Sequence, residues 1–358
     1  MTPAVQPLEA IERDAPGPEA ARRLWDGYVD SRPDATGYHR LLWRDVIRAA
    51  FGHATRYLVC RTGDAVTGVL PLCHIRSRLF GSYLVSLPYF NYGGILASDP
   101  ASERALLQAA VAAARELGAG HLELRMTRPL APGAAGGEGL RESSHKVAMV
   151  LDLPPDPEAL WSGFKAKLRS QVRRAEREGL TTAFGGAELL DGFYDVFARN
   201  MRDLGTPVYA RGLFAEVLAR CPESRVCLVS LGRRPVAAGF LVGYRDRLEI
   251  PWASSLRRYN PMGTNMLLYW KVLEHAAGEK YRAFDFGRSS PDSGTYRFKA
   301  QWGARPVPFH WHYWLREGGE MPGLSPANPK YRLAIALWRR LPLAVTRMVG
   351  PRIVRGLP

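Results

Sequence analysis

The sequence has few cysteines, no long apolar run and, from residue 328 onward, no acid at all. The four cysteines, Cys60, Cys73, Cys221 and Cys227, form no CxxC pair and have no histidine at metal-ligand spacing. That argues against a disulfide-stapled fold and a zinc site, and leaves them as small buried hydrophobes. No stretch approaches the roughly 18 apolar residues of a membrane-spanning helix. The opening residues, MTPAVQPLEAIERDAPGPEA, contain neither the basic nor the apolar region of a signal peptide. The cytoplasm is therefore the expected location, and residues 1–20 read as a disordered, Pro-rich lead-in.

What is present is positive charge, unevenly placed. The formal net charge is +15 over 358 residues. Residues 328–358 carry Lys330, Arg332, Arg339, Arg340, Arg347, Arg352 and Arg355 with no acid. Residues 161–179 carry Lys165, Lys167, Arg169, Arg173, Arg174 and Arg177 against Glu176 and Glu178. Basicity concentrated in this way points to an anionic partner: nucleic acid, a membrane surface or a phosphorylated substrate.

The Pro/Gly/Ala-rich stretch 129–145 reads as a linker. It divides the chain into a first domain, 21–128, and a second, 146–318, with a C-terminal basic segment and helix at 319–358. The two halves repeat one order of elements. A hairpin at 57–72 matches one at 226–242, and SLPYFNYGG (86–94) matches EIPWASS (249–255) as the following strand. Helices at 103–118 and 265–278 come next, then the acid-bearing strands HLELR (121–125) and AFDFGR (283–288). Extra helices, 157–179, 187–204 and 211–220, precede the second copy. A strand near 307–314 and a basic helix near 329–348 close the chain.

Hairpin, strand, helix, strand is the order of the GNAT acyltransferase fold. The expected class is mixed α/β, with two GNAT-like domains in tandem. The segments FKAKLRSQVRRAEREGL (164–180), LFGSYLVSLPYFNYGG (79–94), NMRDLGTPVY (200–209), EIPWASSLRRYN (249–260), NMLLYW (265–270) and FDFGRSSPDSGTYRFKAQWGA (284–304) resemble FemAB-related proteins associated with PEP-CTERM/exosortase systems. The resemblance runs from about residue 25 to 350. It implies acyl or aminoacyl transfer to an amine of a cell-envelope or exopolysaccharide precursor, with no tightly bound cofactor. The donor is either aminoacyl-tRNA or acyl-CoA. The chain departs from the FemA pattern in having no long heptad-bearing helical hairpin. A different reading makes it a basic membrane- or RNA-binding module on a GNAT scaffold.

Amide-forming transfer needs a base for the acceptor amine, a group to steady the oxyanion and positive groups for the donor's phosphates. Glu249 and Asp285 are the candidate bases in the second domain, with Asp203 a third acid near the Thr206-Pro207 turn. Asp285 lies inside an apolar strand, where an unpaired charge is costly, so the neighbouring Arg288 is its expected partner. Lys299 is placed to steady negative charge, with Tyr296 and Trp302 beside it as anchors. Arg257 and Arg258, just before the helix start at Asn265, suit phosphates, as do Arg169 and Arg173, one turn apart on the basic helix. That loop holds one Gly where the usual GNAT pyrophosphate loop has two small residues. Trp252 follows Glu249 on the same strand. Tyr89, Asn91 and Tyr92 precede Gly93-Gly94, a pair that allows a ligand close to the backbone; the resemblance puts them on the acceptor side. His310 and His312 flank Trp311 with no third metal ligand. The segment 329–355 either lies on an anionic membrane surface or packs its apolar side on the domain and exposes its arginines.

Overall fold

The computed structural model describes residues 2–14, 18–135, 139–322 and 332–357. The chain forms two units. The first comprises Met1–His145, Pro308–Gly323 and Arg355–Pro358; the second comprises Lys146–Val307 and Leu324–Val354.

In the first unit the lead-in is not a free tail. Strand β1 (Ala4–Pro7) pairs antiparallel with β3, and the buried Leu8 opens helix α1 (Leu8–Asp14). Burial of this apolar segment, absent from the compositional reading, holds it in place. Helices α2 (Pro18–Ser31) and α3 (Leu42–Phe51) follow, then β2 (Ala54–Thr55), β3 (Leu58–Thr62) and β4 (Ala65–Leu70). The next strands are β5 (Cys73–Ser77), β6 (Gly81–Val85) and β7 (Leu96–Ala97). Helix α4 (Pro100–Glu116) starts on an Asp99 cap that accepts the Ser102 N–H at 2.8 Å, with Pro100 in its first turn. Strands β8 (His121–Met126) and β9 (Arg141–Ser143) complete this part of the chain. The sheets run β1-β3-β4-β7 and β2-β5-β6-β8, the second continued by His310–Leu315 and then β9. The strand expected to end the second domain thus belongs to the first unit, inserted between β8 and β9. The strand expected at 86–94 lies earlier, as β6, and 86–94 is a loop. The linker region contributes β9.

The second unit is one seven-stranded sheet. It begins with β10 (Val147–Asp152), α5 (Pro157–Gly163), α6 (Ala166–Arg177) and β11 (Leu180–Gly185). The helix expected as one piece over 157–179 breaks at Phe164–Lys165, both extended. Then come α7 (Leu190–Leu204), α8 (Arg211–Arg220), β12 (Ser224–Leu231), β13 (Arg234–Tyr244) and β14 (Arg247–Ser255). Helix α9 (Thr264–Gly278) crosses to β15 (Ala283–Ser289), followed by α10 (Gly294–Ala300) and β16 (Arg305–Pro308). The order across the sheet is β11-β12-β13-β14-β15-β10-β16, with β14 and β15 parallel. The chain closes with α11 (Arg332–Trp338) and α12 (Leu343–Val354). The expected start of the C-terminal helix near 329, with Lys330, lies outside the described residues.

One face of this sheet packs Leu248, Ile250, Phe284 and Phe286 with Leu267, Leu268, Leu273 and Ala276 of α9 and with Leu168, Val172 and Ala175 of α6. Each such Leu or Phe stabilises the fold by about 1.5–3 kcal/mol relative to exposure. Phe193 and Phe197 of α7 and Phe214 of α8 pack with Phe240 and Trp252 in a separate aromatic cluster. All four cysteines are buried, and none is in a disulfide among the described residues. Among the described residues, no helix is long and apolar enough to cross a membrane.

Candidate active site

Strands β14 and β15 pair in parallel over only three positions, Arg247 with Ala283, Leu248 with Phe284 and Glu249 with Asp285. Register partners on parallel strands project to the same side of the sheet, so the two carboxylates leave one face together. Immediately beyond them both strands bulge. Against β13, Phe240 faces Trp252 and Val242 faces Glu249, which leaves an extra residue on β14 at Ile250-Pro251. Against β10, Ala148 faces Arg288 and Val150 faces Asp285, which leaves an extra residue on β15 at Phe286-Gly287. Pro251 has no ladder N–H to give and suits a bulge. Gly287 has φ +75°, the left-handed region that a side chain resists. Two adjacent bulges end the parallel ladder at the Glu249–Asp285 pair.

The Gly287 peptide is clamped from both sides. The fully buried Asp285 accepts its N–H through Oδ1 at 2.8 Å. Lys299 Nζ donates to its carbonyl at 3.0 Å and to the Arg288 carbonyl at 2.9 Å. Lys299 reaches there because the Pro-Asp-Ser-Gly turn is a helix start. Ser293 Oγ accepts the Tyr296 N–H at 3.1 Å, and one turn later α10 turns Lys299 inward. Burial draws the Lys299 ammonium from its ordinary 10.5 down to about 8, while the charges of Asp285 and Glu249 act in the opposite direction. Three of the residues singled out by sequence therefore converge: Glu249, 5% exposed, Asp285, 0%, and Lys299, 7%. A Gly287→Ala variant should lose about 1–2 kcal/mol to the left-handed backbone. The added methyl itself meets only the Ile250 carbonyl, at 3.7 Å; thermal melting checks the loss.

Sequence reasoning missed several neighbours. Arg247 Nη1, on the adjacent strand, lies 3.8 Å from Asp285 Oδ2, and Arg288 lends its carbonyl to Lys299. Lys146 Nζ meets Ser290 Oγ, and burial, with the Arg288 charge, holds the Lys146 ammonium below its ordinary value. The Ser289 hydroxyl is buried and has no hydrogen-bond partner among the described residues. The pairing of β10 with β15 that brings Lys146 here leaves no local signal in the sequence.

The start of α9 adjoins the basic helix. Gly263, φ +76°, precedes it, and a Cβ there would come within 3.0 Å of the Ala175 Cβ on α6. Arg174 Nη2 donates to the Pro261 carbonyl at 3.2 Å. Arg257 is exposed, and Arg258 lies over the Tyr259 ring at 4.6 Å. Thr264 is fully buried with a hydroxyl that has no partner among the described residues, and Asn265 next to it is half-buried. Free N–H groups at a helix start, flanked by arginines, favour an anion. Of the basic-helix candidates, Arg169 is half-buried, whereas Arg173 lies over Trp161 at 5.6 Å and lines a surface hollow of about 390 Å³ with Trp161 and Trp270.

Other expected site residues lie in or beside the packed core or in a surface ion pair. Trp252 is 8% exposed and packs edge-on against Phe214 and Phe240. Trp302 is 1% exposed and meets Phe164 edge-on, while Tyr296 is half-buried against the same core. Asp203 is bonded to its neighbour Arg202 at 2.8 Å.

The first unit contains the same parallel pair in a closed form. Strands β6 and β8 pair with Val85 opposite Glu123, the position that Asp285 occupies in the second unit. Glu123 is taken by Arg125 at 2.7 Å, and Arg125 also bonds the carbonyls of Leu87 and Phe90. The loop after β6 is thereby tied down. Tyr89, φ +74°, stacks on Phe51 and bonds His53 Nε2 at 2.6 Å. Tyr92 packs on Tyr38 and Phe309, and Asn91 is half-buried. The paired glycines are needed for the protein's own packing: a Cβ on Gly93 would strike Leu87 at 2.9 Å, and one on Gly94 the Met126 sulfur at 2.4 Å.

Residues 162–300 match the acetyltransferase (GNAT) domain family. No curated protein matches the sequence. Among solved structures, FemX is similar with a TM-score of 0.64 at 14% identity, over 88% of this chain and 98% of that one. The C-terminal domain of a putative lysylphosphatidylglycerol synthetase from Agrobacterium fabrum gives 0.55 at 16%, over 77% and 88% of the two chains. A tandem GNAT protein from the clavulanic acid biosynthesis pathway gives 0.55 at 13%, over 87% and 97%. Such identities speak for fold, and the mixed α/β class expected from the repeated element order holds. Residues 162–300 of this chain are thus similar to the GNAT acetyltransferase domain family, and the chain shares its fold with FemX and a tandem GNAT protein.

Proposed function

We propose that this protein joins an acyl or aminoacyl group to an amine by direct attack, with the second unit carrying the reaction. The observation that supports this most is the convergence of Glu249, Asp285 and Lys299 where two bulges end the β14–β15 ladder. The amine nitrogen attacks the donor carbonyl carbon, and one of the two carboxylates takes the amine's proton. The Lys299 ammonium offsets the negative charge that develops on the carbonyl oxygen, and the Ser289 hydroxyl is a second donor for it. The tetrahedral centre collapses, the ester or thioester bond breaks, and the leaving oxygen or sulfur takes up the proton. An amide and a free alcohol or thiol result, with no covalent enzyme intermediate.

The donor's phosphates would lie at the start of α9, near Arg174, Arg257 and Arg258. The FemAB resemblance favours aminoacyl-tRNA as donor and a cell-envelope or exopolysaccharide precursor as amine. Acyl-CoA is the alternative donor, because the matched domain family is an acetyltransferase family. Calorimetry with acyl-CoA and filter binding with charged and uncharged tRNA at two salt concentrations separate them. Heat with acyl-CoA supports the thioester, and preference for charged tRNA supports the ester. Equal weak binding to any RNA, with no heat from acyl-CoA, contradicts both. Arg174→Ala is expected to weaken the binding donor about ten-fold, the loss of one charge-assisted contact of ~1.5 kcal/mol.

A further inference from the structure

We propose that the segment formed by α11 and α12 docks on the surface of an anionic phospholipid bilayer. Six large hydrophobic residues are exposed among the described residues, and four belong to this segment or the turn beneath it: Leu204 at 43%, Leu333 at 73%, Leu337 at 56% and Met348 at 59%. Scattered exposed leucines need no explanation, but a concentration of them beside one kind of charge does.

The helices turn their apolar residues outward in an ordered way. In α11 the inward side is Ile335, whose methyl lies 2.5 Å from the Cβ position of Gly205. The following Arg339 donates to the Leu204 carbonyl at 3.1 Å. Leu333, Ala336, Leu337 and Arg340, spaced by three and four, are all exposed on the other side. In α12 Thr346, Gly350 and Val354 are buried, with Gly350 against Val208, and Arg347 binds Asp195 at 2.7 Å. Ala344, Met348 and Arg352, each four apart, are exposed. From 332 to 354 there are five arginines and no acid. Arg339 and Arg347 anchor the helices to the second unit, and Arg332, Arg340 and Arg352 are exposed on the outside.

A stripe of leucine and methionine rimmed by arginine matches the interface of a bilayer, where the side chains enter the acyl boundary and the guanidinium groups meet lipid phosphates. An RNA surface would satisfy the arginines and leave the leucines in water.

The full-length protein, centrifuged with phosphatidylcholine vesicles with and without phosphatidylglycerol, tests this. The wild type should sediment with the anionic vesicles and stay in solution with the neutral ones. The variant R332S/R340S/R352S should bind about a hundred-fold less, at roughly five-fold per arginine. The variant L333S/L337S/M348S should bind about ten-fold less. All six positions are exposed, so unchanged circular dichroism and melting are expected for both variants. Absence of wild-type binding to anionic vesicles would overturn the proposal. So would equal binding by the leucine and methionine variant, which would mean adsorption by charge alone, or loss of RNA binding by the arginine variant with vesicle binding intact.

Discussion

Lys299→Met should lower the rate of amide formation by about 10²–10³-fold, the usual consequence of removing one donor to a developing oxyanion. The fold should survive, because methionine fills a similar volume among the same neighbours, although the Gly287 and Arg288 carbonyls lose their donor. The pH dependence makes the prediction specific. With Lys299 titrating at about 8, the wild-type rate should fall as pH rises through that value and the ammonium is lost. Methionine has no proton to lose, so the residual rate of the variant should lack this alkaline limb. Stability carries the same signature with its own sign. Between about 8 and 10.5 the unfolded chain holds a proton on Lys299 that the folded chain does not. Wild-type stability should therefore rise relative to the variant across that window, and the penalty of the buried ammonium should be fully present below it. Transfer of a labelled acyl group and urea unfolding, both followed from about pH 6 to about pH 11 so that the range brackets the two pKa values, read both effects.

Asp285→Asn should cost about 10²-fold or more in transfer while leaving the clamp on Gly287 in place. An amide oxygen can still accept the Gly287 N–H, so the bulge keeps its bond. What disappears is the negative charge that supports the ammonium of Lys299. The Lys299 pKa should then fall further, and the alkaline limb should move to lower pH rather than vanish. Movement of the limb distinguishes an electrostatically coupled site from a merely destabilised fold, which would lower the rate at every pH alike. Glu249→Gln should move it in the same direction, because Glu249 also raises the Lys299 value. The variant with the larger rate loss identifies the base.

Some of this was readable from the chain. The repeated order of hairpin, helix and acid-bearing strand gave the fold class, because apolar periodicity and turn residues are local properties. Asp285 stood out as an acid inside an apolar strand, and Lys299 as a lysine one turn into a segment crowded with aromatics. The misses have a common cause in long-range pairing. Nothing near Lys146 shows that β10 will lie beside β15, and nothing near Arg247 shows that it will reach Asp285. Placing His310–Leu315 between β8 and β9 is a sheet contact across 168 residues, as His310 bonding Glu142 illustrates. The packing of the aromatic loop in the first half is also set by contacts distant in sequence. Tyr89, Tyr92, Gly93 and Gly94 look like a ligand cradle in sequence, yet they pack on Phe51, Tyr38, Leu87 and Met126 of the same unit. The asymmetry between the halves is instead visible at one equivalent position: Glu123 is tied by Arg125 to the loop after β6, whereas Asp285 shares its strand end with a lysine.

The central claim is that the donor is bound and attacked at the bulged end of β14 and β15 in the second unit. Amide hydrogen exchange of the full-length protein, with and without saturating donor, tests it most directly. Protection is expected in 249–263, covering the β14 bulge and the start of α9, and in 284–300, covering Gly287 and Lys299, with no change over 85–94. Protection confined to the loop after β6, or an exchange pattern unchanged by acyl-CoA and by aminoacyl-tRNA alike, would contradict it.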